Sequence, residues 1–304
     1  MGSAIGFTTL EEAGSGGLNA PVNRIDNPRD CQPVGNSPVS RWQLATGDGV
    51  LDFLVVYKRA GAPLVCSFHG ALDREKYELP RFERMASLVA MDVNSVYVAD
   101  PLLALDDKLQ LAWFEGGRGS RLTRDIAAVV EHLKASTSSR AALLTGSSGG
   151  GFASLQVAPH VPGSVAVVFN PQTTIGGYLA GGTGHGAKRD YLRAVWPDEH
   201  AAIGGKVEAL EGPLGFESLT DPRTTVWHRY ESPVSCSIVY CNNRNDFHVT
   251  DHYQPFADAI TRGNNKAKMY VLEYPGGNGH MPPSPEQFEL GLALGLRLAT
   301  KEAP

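Results

Sequence analysis

Short apolar runs punctuated by glycine, proline and asparagine recur along the chain, and stretches of helical period lie between them. Residues 42–46 and 51–58 read as strands, and the turn signal Gly47-Asp48-Gly49 between them predicts an antiparallel hairpin. Residues 63–68 predict a strand, 88–91 the end of a helix, and 95–99 a strand stopped by Asp100-Pro101. Ile126, Val129, Val130 and Leu133 recur at helical spacing, so 121–135 is an amphipathic helix. Further strands are predicted at 141–145, 164–169, 237–241 and 268–274, with helices at 152–160 and about 252–262. After Ser284-Pro285-Glu286-Gln287, leucines at 290, 292, 294, 296 and 298 alternate as in a strand. The start signal, a cap serine with proline at the first helical position and glutamine at the third, predicts a helix instead.

Strand and helix alternate through most of the chain, which predicts an α/β fold: a mostly parallel central sheet with helices on both faces. Residues 1–40, rich in glycine, asparagine and proline, read as an irregular N-terminal arm. Residues 41–172 and 234–304 form the core. Residues 173–233 interrupt the alternation and read as a cap inserted after the strand ending at Phe169. The cap carries Tyr178, Tyr191, Trp196, Phe216, Trp227 and Tyr230, which read as packing more readily than as recognition. Within it, residues 182–187 mimic a dinucleotide fingerprint, but no strand precedes them and the match is discounted.

Composition narrows the field without deciding it. The 304 residues are 42% hydrophobic and 19% charged, ordinary for a globular protein. A net charge of −5 with no basic stripe argues against nucleic acid as a partner. No run of 18 apolar residues predicts a membrane span. The first eight residues lack the basic and apolar regions of a signal peptide. Cys66, Cys236 and Cys241 fall in or beside buried strands, and Cys31 shows no pairing motif. No zinc spacing appears, so free thiols and a cytoplasmic location are expected.

The chemistry gathers where strands end. Gly146-Ser147-Ser148-Gly149-Gly150 is a G-x-S-x-G between a predicted strand and a predicted helix, the setting of an exposed nucleophilic serine. Ser147 is the weaker choice, because its minus-two residue is Thr145 rather than glycine. A serine needs a base, and the base an orienting carboxylate. Asp246 follows the strand ending at Cys241, and His280 lies in a glycine-rich loop after the strand ending at Tyr274. Asp251 and Asp258 are the alternative acids. His248 and His252 compete with His280 or serve as substrate contacts. An oxyanion would take Gly149 N–H and a second donor from the loop after Phe68: Ala71, or less favourably Gly70. His69 reads as a brace of that loop and, with Gln172 and His248, as a candidate substrate-binding residue. No metal or organic cofactor is called for.

His69-Gly70, Gly146-x-Ser148-x-Gly150, Asp246 and His280, in this order, resemble the α/β-hydrolase superfamily over roughly residues 50–300. Phe68-His69-Gly70-Ala71, Asp100-Pro101 and Asn170-Pro171-Gln172-Thr173 also look like bacterial carbohydrate-linked acyl esterases and acetyltransferases, including an accessory secretion component that acetylates glycoproteins. The resemblance implies a cap after the sixth strand. The expected activity is ester cleavage through an acyl-enzyme, on a small-molecule or carbohydrate ester. Acyl transfer to an alcohol, a peptidase, a haloperoxidase-like or carbon–carbon bond hydrolase, and a non-catalytic binding module are the other outcomes open to such a fold.

Overall fold

The computed structural model describes residues 20, 22–33, 38–178, 185–210 and 212–301. Among these, nine strands form one sheet: β1 (Val22–Ile25), β2 (Val39–Thr46), β3 (Gly49–Val56), β4 (Leu64–Phe68), β5 (Asn94–Val98), β6 (Ala142–Ser147), β7 (Val165–Phe169), β8 (Ser237–Asn243) and β9 (Met269–Tyr274). Their spatial order is β1-β2-β3-β5-β4-β6-β7-β8-β9. The predicted hairpin is the antiparallel pair β2–β3, and β3 also runs antiparallel to β5. Every other neighbouring pair is parallel. The four-residue β1 lies within the stretch predicted to be an irregular arm. It adds an edge by pairing with β2, a register that its own four residues, only Ile25 of them buried, do not advertise. Residues 1–19, which include the stretch searched for a signal peptide, lie outside the described residues.

The helices are α1 (Met85–Ala90), α2 (Leu122–Ser136), α3 (Gly149–Val157), α4 (His185–Val195), α5 (Pro197–Ala202), α6 (Gly212–Leu219), α7 (Trp227–Tyr230), α8 (Gln254–Arg262) and α9 (Pro285–Lys301). Side chains alternate across the central strands. Cys66, Leu144, Val168 and Tyr240 face α2, α3 and α8, whereas Val65, Leu143, Val167 and Val239 face α1 and α9. A parallel strand buried on both faces is apolar throughout, which is why these runs were short and continuous rather than alternating.

α9 begins as its sequence demands. Ser284 Oγ accepts from Gln287 N at 3.2 Å, and Gln287 Oε1 accepts from Ser284 N at 2.8 Å. The buried positions of α9 are 288, 291, 292, 295, 298 and 299, a helical spacing. Two of them are glycines. A Cβ on Gly291 would lie 2.7 Å from Phe169 Cζ, and one on Gly295 2.4 Å from Val167 Cγ2. Gly295→Ala gains about 1 kcal/mol of helix propensity. Against it stands overpacking on a buried, branched valine, about 1–3 kcal/mol. We expect the clash to win and thermal denaturation to show a lower Tm than wild type; a raised Tm would mean that α9 can back away from β7.

Between β7 and β8 the chain forms α4–α7. Tyr191, Trp196, Phe216 and Tyr230 are buried there, as packing residues are. Residues 182–184 of the fingerprint-like stretch lie outside the described residues. The two ends of the segment meet at a bridge between Thr174 and Thr225, flanked by Ile175 N to Thr224 O and Val226 N to Thr173 O, both 2.9 Å. All four cysteines are free and buried, and burial pushes the Cys31 thiol up to about 12. Among the described residues no helix is long and apolar enough to cross a membrane.

Candidate active site

Ser148 sits between β6 and α3 with φ 55° and ψ −120°, a conformation in which a side chain is strained. The turn is tight because its flanks carry no side chains. A Cβ on Gly146 would lie 2.4 Å from the Gly150 carbonyl carbon, and one on Gly150 2.4 Å from Phe68 O. Ser148 N donates to Phe169 O, and Gln172 N donates to Ser148 O, both at 3.1 Å. Ser148 Oγ accepts from Gln172 Nε2 at 3.0 Å, and Gln172 Oε1 in turn accepts from Trp113 Nε1. Gln172 is fully buried. The residue singled out as a substrate contact thus holds the serine oxygen itself.

Asp246 lies in the turn after β8 and carries two histidines, one on each oxygen. His280 Nδ1 is 2.8 Å from Oδ2, and His248 Nδ1 2.8 Å from Oδ1. His248 N also donates to Oδ1, at 2.9 Å. Burial alone would raise the carboxyl of Asp246, but the hydrogen bonds from His248 and His280 outweigh it and hold it well below the usual carboxylate range. Asp251 and Asp258 make no such contact. The loop of His280 is pinned by Gly279 N to Asn245 O, 3.0 Å, and by Asn243 Nδ2 to Gly277 O, 2.8 Å. Among the described residues no hydrogen bond joins Ser148 to His280. Such contacts are often long in ligand-free sites.

His248 and His252 stack at 4.6 Å between ring centroids, and His248 lies 3.9 Å from His280. Thr173 N donates to His252 Nδ1 at 3.1 Å, so the proton of neutral His252 is on Nε2. His248 donates from Nδ1, which leaves its Nε2 a lone pair. Both Nε2 atoms are buried without a partner. Burial, and then the neighbouring histidines, drive the pKa of His252 well below its ordinary value; Lys188 adds to this and Asp246 opposes it. An unfolded histidine takes up a proton below about pH 6.5. Folded His252 does so only far lower, so its contribution is complete above pH 6.5 and is lost as the pH falls. His252→Gln is expected to lose less Tm than wild type between pH 7 and pH 5. Equal losses in a thermal-shift pH series would remove His252 from the acid response.

In the loop after β4 the two proposed oxyanion donors differ in their partners. Gly70 N already donates to Glu83 Oε2 at 3.0 Å. Among the described residues neither Ala71 N nor Gly149 N has an acceptor. His69 braces this loop, as expected, but it is not free to contact a substrate. It is buried, Nδ1 donates to Gly70 O at 2.8 Å, and Nε2 accepts from Asp100 N at 3.1 Å. Asp100 accepts from Phe114 N at 2.8 Å, and burial pushes its carboxyl up to about 7. A continuous path therefore runs from Gly70 through His69, Asp100 and the Trp113–Phe114 loop to Gln172 and Ser148.

Trp113 carries no signal in the sequence, and Asn170 reads there only as part of the Asn170–Thr173 motif. Asn170, at φ 41°, donates to Tyr274 Oη and Met281 O and accepts from Asn243 N, tying together the ends of β7, β8 and β9. Its place after a strand was visible, but this partner set was not. Asp246, His248 and His280 also place one ligand atom each within 4.8 Å of one another, close enough for a cation. The two 2.8 Å contacts to separate carboxylate oxygens are those of N–H donors, which spend the Nδ1 positions on Asp246 rather than on an ion.

No family model and no curated protein sequence matches the chain. Solved structures do. The Glycosylation Associate Protein (Gap123) complex of Streptococcus agalactiae aligns at TM-score 0.56 and 15% identity, over 88% of this chain and 47% of that one. The chain spans about half the length of that match. The capsule O-acetyltransferase of Neisseria meningitidis serogroup A aligns at TM-score 0.56 and 11% identity, over 88% of this chain and 97% of that one. Carboxyl esterase 2 of Tuber melanosporum aligns at TM-score 0.56 and 12% identity, over 93% and 91%. At these identities the likeness is one of fold: the chain has an α/β-hydrolase-type fold.

Proposed function

We propose that this α/β-hydrolase-fold chain is a serine enzyme of acyl transfer that cleaves an ester through an acyl-enzyme. The observation that carries the reading is Ser148 on its strained turn, with Asp246 and His280 hydrogen-bonded to each other after the neighbouring strands. Gln172 fills one lone pair of Ser148 Oγ and leaves the hydroxyl hydrogen free for a base. Ser148 Oγ attacks the ester carbonyl and forms the acyl C–O bond while His280 Nε2 takes its proton. The oxyanion collects N–H bonds from Gly149 and Ala71. His280 returns the proton to the leaving alcohol. Water, deprotonated by His280, then releases the acid. Asp246 fixes the tautomer and stabilises the imidazolium.

A second reading, acyl transfer to an alcohol in place of water, has its own support. His248 Nε2 can accept from a hydroxyl and His252 Nε2 can donate to one, and neither has a protein partner. The match over nearly the whole length of a capsule O-acetyltransferase points the same way. Segment 173–233 is proposed as a cap beside the serine site.

The experiment is p-nitrophenyl acetate turnover with and without an added alcohol, together with fluorophosphonate labelling read by intact mass and peptide mapping. A single adduct on Ser148 and release of p-nitrophenol support the reading, and the fraction of acetyl ester formed assigns water or alcohol as acceptor. Absence of label from Ser148, with no turnover, overturns it in favour of a non-catalytic binding module.

A further inference from the structure

Beyond the residues around Ser148, a cavity of about 160 Å³ opens between the start of α2, the turn after α3 and residues 223–229. One water needs only about 10–15 Å³ by this kind of measure. Arg121, Arg124, Arg223, Arg229, His160 and Thr123 line it.

The charges here are not balanced. Arg223 is spent: it pairs with Glu115 at 2.8 Å and Asp221 at 3.0 Å, and donates to Ser120 O and Gly117 O, both at 2.9 Å. Arg229 meets no carboxylate; it donates to Gln156 Oε1 and, at 3.0 Å, to His160 Nε2. That second bond needs a neutral imidazole. Burial lowers the pKa of His160, and Arg229 and Arg124 lower it further. Arg121 and Arg124 are exposed, and their side chains make no hydrogen bond or ion pair among the described residues. Burial pushes the carboxyl of Glu115 up, against the pull of Arg223 and Arg229. Two further acids lie nearby: Asp125, within reach of Arg121's charge but not in contact with it, and Asp48, which accepts from Ser120 Oγ at 2.8 Å. Burial lowers the guanidinium of Arg229, with Arg223 and Arg124 adding to this and Glu115 opposing it. The cavity also receives the first turn of α2; Arg121 makes no side-chain cap, and Ser120 Oγ accepts from Leu122 N at 3.2 Å.

Three guanidiniums without carboxylate partners, beside the first turn of a helix, line a small void. A guanidinium fork matches phosphate oxygens in pairs, and a helix start favours negative charge. We propose that this cavity is a binding site for a phosphate group, held by Arg121, Arg124 and Arg229. It is separate from the serine chemistry and does not rest on it.

Thermal-shift titrations of the full chain test the site at constant ionic strength, with sodium chloride as the reference. The probes are inorganic phosphate and glycerol phosphate, run on wild type and on the double variant Arg121→Ala/Arg124→Ala. Both arginines are exposed, so the double variant is expected to keep its Tm in chloride. Wild type should rise saturably, by about 3 °C at a tenfold excess over Kd, and the double variant should not. A response to inorganic phosphate assigns a free anion. A response to glycerol phosphate alone assigns the phosphoryl group of a larger molecule. No rise over chloride with either probe, or an equal rise in the double variant, overturns the site.

Discussion

Ser148→Ala is expected to lower kcat by about 10⁶-fold and to leave KM and Tm nearly unchanged. The expectation follows from what the variant keeps. The turn, the Gly149 and Ala71 amides and the Asp246–His280 pair all remain, so a residual catalysis of about 10³-fold over water is expected from the oxyanion donors and binding. It loses the hydrogen bond from Gln172 Nε2, worth about 1 kcal/mol. Ser147→Ala is the control: that side chain ends β6, and its variant should keep wild-type turnover. Initial-rate kinetics on p-nitrophenyl acetate decide the matter. Equal activity in Ser148→Ala would remove this serine from the reaction, and a collapse in Ser147→Ala would move the nucleophile by one residue.

Asp246→Asn is expected to cost about 10⁴-fold in kcat. The arrangement gives a specific cause. Two imidazoles donate Nδ1–H to two carboxylate oxygens. An asparagine offers one acceptor oxygen and one NH₂, so only one histidine can keep its tautomer. The other must turn its ring or move its proton. The variant also loses the carboxylate whose depressed pKa adds stability above about pH 4, stability that wild type gives up as the pH falls through the folded value. The two histidines are then separated by their own variants. His280→Ala should match Asp246→Asn, whereas His248→Gln should stay within about tenfold of wild type. If His248→Gln loses as much as His280→Ala, the base is His248 and the assignment of His280 falls.

What was readable from the sequence follows a physical division. Ser148, Asp246 and His280 could be nominated because each follows a strand whose apolar run is unmistakable, and a sheet of parallel strands delivers its loops to one end. Gln172 was named for its neighbourhood, but its grip on Ser148 Oγ was not visible, because side-chain pairing across 24 positions leaves no local signature. The same holds for Trp113 and Asn170. The competition between His248 and His280 was posed as a choice; the carboxylate takes both, since it has two oxygens. His69 has both ring nitrogens engaged, one on Gly70 O and one on Asp100 N, contacts that the sequence does not display. The buried face of α9 was masked because two of its positions are glycines, which carry no hydrophobicity for a periodicity to register. β1 was missed for the opposite reason: an edge strand buries little and need not be apolar.

The bridge of Thr174 to Thr225, with its two flanking 2.9 Å bonds, closes residues 175–224 into a loop with a sealed neck. The neck fixes both ends of the segment two residues after Gln172, and beyond it the segment touches the serine's support through Tyr178 and Tyr191, which pack edge-on against Trp113. A closed loop of this kind can change length cheaply, since doubling it costs only about 0.6 kcal/mol of closure entropy. The neck therefore makes the segment an exchangeable cassette on the proposed function: its outer turns can be recut, while the Tyr178 and Tyr191 contacts to Trp113 are the part that has to be kept for Gln172 to hold the serine oxygen.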